Sequence, residues 1–183
     1  MYMKSGLENL LKHDYNFSES KFKSKVENIF VQIKLSIVTG KAEKIKHFVN
    51  EEIYTKILNK IELDKINNRI QLYDELNVAD IKIVNIEELE DCFRIQVSLH
   101  SKSLEYYIRR DTKKFISGDK YDRLERINKL VFTKAKDSKV LEAARKCPSC
   151  GANIDVNKNG KCEYCGTIFN LNKYDWIITE MDV

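Results

Sequence analysis

Two pairs of cysteines near the C-terminal end constrain this 183-residue chain more than any other feature. Cys147 and Cys150 form the first pair, Cys162 and Cys165 form the second, and eleven residues separate the two pairs. Two residues between thiolates let a tight turn present both sulfurs to one ion, and two such turns complete a tetrahedron. The spacing therefore predicts one structural Zn²⁺ on all four thiolates, with no coordination position open for a substrate.

The residues around the cysteines agree with a small zinc ribbon. Gly151 and Gly166 follow the second cysteine of each pair, where a positive φ lets backbone N–H groups point at sulfur. Asn157-Lys158-Asn159-Gly160 is typical of a turn between the two pairs. Two alternatives stay open, a pair of C-x-x-C redox sites and a four-sulfur iron centre of the rubredoxin type.

The first third of the chain has the apolar spacing of helices. From Ser18 to Gly40, which can cap the start and the end of a helix, apolar side chains recur every three or four residues. A second helical stretch is predicted around residues 45–49, and a third begins after Asn50. Their apolar faces carry Ile45, Phe48 and Val49 in one case and Ile53, Ile57 and Ile61 in the other.

After about residue 75 the apolar period changes to two, as in half-buried strands. The apolar residues of the clearest strand are Phe93, Ile95, Val97 and Leu99. Further strands are predicted at Ile81 and Ile83 and at 130–132, with a hairpin at 101–103 leading into Leu104, Tyr106 and Ile108. Helices followed by strands predict an α+β fold in which the helices cover the apolar face of an antiparallel sheet.

The chain divides into three predicted regions. Residues 1–17 are an N-terminal extension, 18–140 together with 174–183 form the α+β domain, and 141–173 form the zinc ribbon. The stretch from Tyr174 to Thr179 has the composition of a last strand that rejoins the main sheet, with Trp176 as its anchor in the core. The ribbon is then an insertion before that strand.

Composition narrows the compartment and the partners. No apolar run approaches the ~20 residues that span a bilayer, and no signal peptide is evident, so we expect a cytoplasmic protein. The formal charge is +4, and residues 134–173 hold eight Lys or Arg against four Asp or Glu. Because a zinc ion on four thiolates carries about −2, this region is only weakly positive, which disfavours nucleic-acid binding.

No catalytic constellation is evident. His13, His47 and His100 are far apart in the sequence, at neither metal-ligand nor triad spacing. Cys92 stands beside Asp91, which should raise the pKa of the thiol and make it a quiet, half-buried side chain. We therefore predict no catalytic residue and a protein that is not an enzyme.

The chain resembles the bacterial branch of the Tim44-like domain family, named after a tethering subunit of the mitochondrial inner-membrane protein translocase. The resemblance lies in Ile45-Lys46-His47-Phe48-Val49, in Ile53-Tyr54, in the ribbon CPSCGANIDVNKNGKCEYCGTI and in the closing Asp175-Trp176-Ile177. It implies a cone-like fold of the nuclear-transport-factor-2-like type, with helices on a curved antiparallel sheet.

The same resemblance implies an adaptor that is accessory to protein transport or peripheral to a membrane. We expect a protein partner and leave a lipid or membrane surface, and a homodimer, as open alternatives. A small-ligand or lipid-binding cone is the second hypothesis, because the inward residues of the clearest strand are apolar. A zinc-ribbon nucleic-acid-binding protein is the third.

Overall fold

The computed structural model describes residues 2–136, 150–153, 164–165 and 175–182. Three α-helices come first: α1 (Tyr2–His13), α2 (Glu19–Thr39) and α3 (Glu51–Ile66). The strands follow, as β1 (Arg69–Glu88), β2 (Cys92–Arg109), β3 (Phe115–Gly118), β4 (Leu124–Ala135) and β5 (Ile177–Met181). The predicted order of helices before strands is confirmed, and the fold is α+β.

The long helices begin and end at the predicted caps. The Ser18 side chain accepts a hydrogen bond from the Lys21 N–H, and Gly40 ends α2 with a φ of 70°. Asn50 caps α3 by accepting from the N–H of Ile53. The buried stripe of α3 consists of Ile53, Ile57, Ile61 and Asp64. Both helices therefore bury the faces that their apolar spacing predicts.

The prediction of a second helix around residues 45–49 is wrong, because this segment is not an α-helix. Residues Glu43–Ile45 form a single 3₁₀ turn, and Val49 instead makes an isolated parallel bridge with Ile178 of β5. The backbone N–H of Ile178 donates to the Phe48 carbonyl, and its own carbonyl accepts from Asn50. This segment extends because the edge of β5 offers backbone partners, which a pattern of apolar residues cannot reveal.

The strands form one antiparallel sheet in the order β1-β2-β4-β5, with β3 paired to the C-terminal part of β2. The pairing of β1 with β2 shifts register at three places, between Asp74 and Asn77, Val78 and Asp80, and Ile83 and Asn85. Such bulges bend a strand and increase its twist. The sheet is accordingly curved, as the resemblance implied.

The predicted hairpin at residues 101–103 does not form. Strand β2 continues without a break from Cys92 to Arg109, and Ser101 and Ser103 are buried at the same period of two as Leu99. The segment Ser101-Lys102-Ser103 contains no Gly, Asn or Asp to favour a two-residue turn, so the alternation simply continues.

The core lies between the helices and the inward face of the sheet. Phe93, Ile95, Val97 and Leu99 are each at most 2% exposed, which confirms the predicted sheet face. Helix α1 joins this core through fully buried Leu10, and at Gly6 a Cβ would come within 2.1 Å of the Ile86 carbonyl oxygen. The residues predicted as an extension thus include a helix that packs closely on β1.

The last strand rejoins the main sheet as predicted. Strand β5 pairs antiparallel with β4, and Thr133 lies opposite Ile177. Trp176, 5% exposed, packs edge-on against Phe22 at a centroid distance of 5.4 Å and against Phe17 at 6.2 Å. The chain between Thr133 and Ile177 therefore leaves and re-enters the sheet at one end of a strand pair.

Candidate functional site

The four predicted zinc ligands are only partly within the described residues. Cys150 and Cys165 are described, and both are exposed. Cys147 and Cys162 lie outside the described residues, as does most of the predicted ribbon at 141–173. No group of three metal-binding side chains occurs among the residues that the structure describes. The four-thiolate site stays a prediction.

One feature of the ribbon is within the described residues and agrees with the prediction. Gly151, directly after Cys150, has a φ of 71°, the left-handed conformation expected of a metal knuckle. A Cβ at this position would meet nothing within 4 Å, so the backbone conformation and not lack of space favours glycine. Four thiolates at this spacing are a donor set that suits zinc.

The histidines and Cys92 occupy separate places in the fold. Nε2 of His13 lies 3.8 Å from Glu88, and Nε2 of His100 lies 3.2 Å from Glu125. Burial, followed by the hydrogen bond with Asp91, raises the pKa of the half-buried Cys92 thiol, which confirms the predicted direction. A thiol that stays protonated is a poor nucleophile.

A second candidate site lies where the inward face of the sheet changes from apolar to polar. Along β2 the alternation in burial continues past Leu99 through Ser101 and Ser103, and Glu105 and Tyr107 follow at the same spacing and line a cavity. Several residues opposite them are polar as well: Arg126 pairs with Ser101, Tyr73 with Glu105 and Gln71 with Tyr107. Apolar Val78 and Leu124 pair with Ser101 and Ser103. The apolar half of this face is filled by the core, and the polar half is open.

The open half bounds a cavity of about 600 Å³. Lys34 of α2 and Lys60 of α3 reach it from the helices, and Tyr73, Glu105, Tyr107 and Arg126 line it from the sheet. The second hypothesis from the sequence assumed an apolar interior. The apolar residues instead pack against one another, and the space that remains is lined by charged and hydrogen-bonding groups.

Most of the charges around the cavity are paired. Arg126 donates two hydrogen bonds to Glu105, each 2.8 Å long, in a fork that matches the carboxylate. Buried Asp64 accepts from Arg69 at 2.7 Å and also from Lys60. Burial works to raise the pKa of Glu105, but the bonds from Arg126 outweigh it, and the pKa lies below its usual range.

Lys34 is a charged residue of the cavity without such a partner among the described residues. Its Nζ lies 4.4 Å from the centre of the Tyr73 ring and 5.4 Å from that of Phe30, and it makes no hydrogen bond or ion pair with any residue that the structure describes. Burial lowers the pKa of Lys34, and the nearby Glu105 offsets this in part. Because burial disfavours the charged form of any group, it raises the pKa of Tyr73. The Tyr73 hydroxyl therefore stays neutral and can donate a hydrogen bond.

Sequence reasoning missed this cluster because it stopped the strand at a hairpin. Had the alternation been extended beyond Leu99, it would have placed Ser103, Glu105 and Tyr107 on the inward face. The approach of Lys34 and Lys60 could not have been found in this way, since it depends on how the helices cross the sheet.

Comparison with known proteins supplies the family. The Tim44-like domain family matches residues 3–142, which is most of the chain and includes all three helices and the first four strands. The chain belongs to the Tim44-like domain family. A search of curated proteins found no match to this Tim44-like chain.

The family match covers the N-terminal three quarters of the chain and leaves the C-terminal part outside. The matched residues begin within α1, so the helix that precedes residue 18 belongs to the Tim44-like region, whereas both cysteine pairs and β5 lie beyond it. Within the part of the chain that the structure describes, no helix is long and apolar enough to cross a bilayer.

Proposed function

We propose that this Tim44-like protein is a non-enzymatic adaptor that binds a protein partner and carries one structural zinc ion. The family match over residues 3–142 carries the first part of this proposal. The adaptor would be accessory to protein transport or peripheral to a membrane, the roles that the family resemblance implies.

The zinc ion would be held by Cys147, Cys150, Cys162 and Cys165 in a ribbon at residues 141–173. The positive φ of Gly151 and the pairing of Thr133 with Ile177 support this placement. A segment that leaves and returns at one end of a strand pair can be a separately folded insertion without disturbing the sheet. The zinc would stabilise the ribbon and leave no position open for chemistry.

Zinc content tests the metal part of the proposal. Protein purified without added metal should contain one zinc per chain, and modification of four thiols should release it. Cys147→Ser should lose the metal, whereas the matched control Cys92→Ser should keep it. Less than half an equivalent of zinc, or iron in its place, would contradict the proposal.

Recovery of a partner tests the adaptor part. The full chain used as bait in an extract of its native cells should retain a protein whose binding survives moderate salt, because the weak net charge favours no purely electrostatic association. Binding to the phosphate backbone of a nucleic acid would instead weaken steeply as the salt concentration rises. Sub-micromolar binding to DNA or RNA at ~150 mM salt would overturn the adaptor role in favour of a nucleic-acid-binding ribbon.

A small-ligand-binding role is the second candidate, and the cavity beside Lys34 supports it. The space of about 600 Å³ is of the size that small-molecule sites occupy in proteins. Its polar lining favours a charged group over an acyl chain.

A further inference from the structure

The charged groups around the cavity beside Lys34 indicate which class of ligand it can bind. Glu105, the carboxylate on its inner wall, already has a cationic partner in Arg126, and the buried Asp64 nearby is held by Arg69 and Lys60. Lys34 lines the same cavity and forms no ion pair with a described residue. Its ammonium group is thus available to a ligand.

The position of Lys34 is costly for the fold. A charged group that leaves water without a hydrogen-bonding partner lowers stability, and the aromatic faces of Tyr73 and Phe30 replace only part of its hydration. The residues next to it on the buried side of α2, Phe30, Ile33 and Ile37, are apolar. Because Lys34 is half-buried among apolar neighbours and its charge has no described ionic partner, the fold does not require the charge, which can instead serve a ligand.

The neutral donors of the cavity suit an anion as well. The Tyr73 hydroxyl forms no hydrogen bond with the residues that the structure describes, and it remains protonated at physiological pH. The guanidinium fork of Arg126, which matches carboxylates and phosphates alike, is occupied by Glu105. What remains for an anion is a lysine ammonium, a point charge of the kind that commonly binds phosphate.

We propose that this cavity binds an organic phosphate, whose phosphate oxygens accept hydrogen bonds from the Lys34 ammonium and the Tyr73 hydroxyl. The inference names the ligand class for the small-ligand role and is independent of the zinc ribbon and of any protein partner. The phosphate can belong to a soluble phosphate ester or to a phospholipid headgroup, and the experiment separates these two sources.

Two further carboxylates at the rim bear on the affinity. Glu125 lines the cavity but is paired with Lys102 and lies 3.2 Å from His100. Asp182 lines it without an ion pair to any described residue, and it opposes an incoming anion. Its removal should strengthen phosphate binding, whereas a merely structural cluster would show no such effect.

The experiment measures binding of three probes to the full chain. Glycerol 3-phosphate and inorganic phosphate are titrated by calorimetry, and vesicles of equal parts phosphatidylcholine and phosphatidylglycerol are tested by flotation. Lys34→Met should weaken binding about tenfold or more, because it removes a charge-assisted hydrogen bond. Asp182→Asn should strengthen binding about twofold by removing a surface repulsion.

Lys21→Met is the matched control, since Lys21 is an exposed lysine of the same helix and should leave binding unchanged. Lys34-dependent binding of the soluble phosphates, of the vesicles or of both supports the proposal and identifies the source of the phosphate. Absence of saturable binding, binding that Lys34→Met leaves unchanged, or weaker binding by Asp182→Asn overturns it.

Discussion

At the scale of single residues, Asn50 shows how one side chain joins two elements. Its Oδ1 accepts from the N–H of Ile53 at 3.0 Å and caps α3, while its Nδ2 donates to the Thr179 carbonyl of β5 at 3.1 Å. The sequence predicted the cap, because Asn before an apolar run is typical of a helix start. The bond to β5 joins residues far apart in the chain and could not be predicted.

The two bonds of Asn50 can be separated by substitution. Asn50→Ala loses both and should lower the free energy of unfolding by about 2 kcal/mol, roughly one for the cap and one for the bond to Thr179. Asn50→Asp keeps the acceptor and should lose about half as much. Urea denaturation of both variants measures the difference, and equal losses would show that the cap contributes nothing.

Lys34 should make stability depend on alkaline pH. Its folded pKa is lowered from the ordinary value of 10.5, so between these two values the unfolded chain binds a proton that the folded chain does not. Stability therefore rises with pH across that window, and below it the cost of the buried charge persists in full. Lys34→Met, which lacks the charge, should be more stable than the natural protein at neutral pH.

The difference between the two proteins isolates this effect. The groups around position 34 are the same in both proteins, so their titrations largely cancel in the comparison. These groups are Glu105, Arg126, Lys60 and Tyr73. Denaturation in urea at increasing pH should show the advantage of Lys34→Met shrinking as the pH approaches 10.5. A variant less stable than the natural protein at neutral pH would mean that Lys34 stabilises the fold.

At the scale of elements, β2 contains both the core and the candidate ligand site. Its inward residues are apolar from Phe93 to Leu99 and polar from Ser101 to Tyr107, all at one period of two. The apolar half pairs with Leu130 and Phe132 of β4, and the helices cover it. The polar half faces Lys34 of α2 and Lys60 of α3 across the cavity, so one strand supplies both the floor of the core and the floor of the cavity.

The register of β2 can be tested by a pair of adjacent substitutions. Ile95→Asp places an unpaired carboxylate at a fully buried position, which costs several kcal/mol and should unfold the domain. Gln96→Asp, on the opposite and partly exposed face, should have little effect. Circular dichroism and thermal unfolding compare the two variants, and equal effects would mean that the assigned faces are wrong.

At the scale of the whole molecule, the α+β domain has a core that includes none of the cysteines that the structure describes. Its buried apolar residues come from the three helices, the 3₁₀ segment and the sheet, and Trp176 and Ile178 close it from the C-terminal side. The zinc ribbon is proposed to fold on its own, between the paired ends of β4 and β5. The ribbon and the main domain should therefore unfold independently of each other.

Loss of one cysteine tests this independence. Cys162→Ser should release zinc and unfold the ribbon while the helical signal in circular dichroism and the cooperative unfolding of the main domain are retained. The reason is that Cys150 and Cys165, the two of the four that the structure describes, are exposed and lie outside the core cluster. Global unfolding of the variant would show that residues 141–173 are not a separate region.

The sequence by itself determined the elements whose causes are local. Caps at Ser18 and Asn50, the stripe of Ile53, Ile57 and Ile61, and the alternation around Ile95 all depend on neighbours within a few residues, and the structure confirms each. The cysteine spacing is equally local in origin, and the zinc site that it predicts awaits measurement.

Only the tertiary structure decided the features that depend on distant residues. The extended pairing of Val49 requires the edge of β5, and the cavity requires α2 and α3 to bring Lys34 and Lys60 over the polar end of β2. The local sequence pattern cannot distinguish an exposed lysine from one that lies over a tyrosine ring. The second lysine loses part of its hydration, and the residues that exclude the water come from elements far apart in the chain.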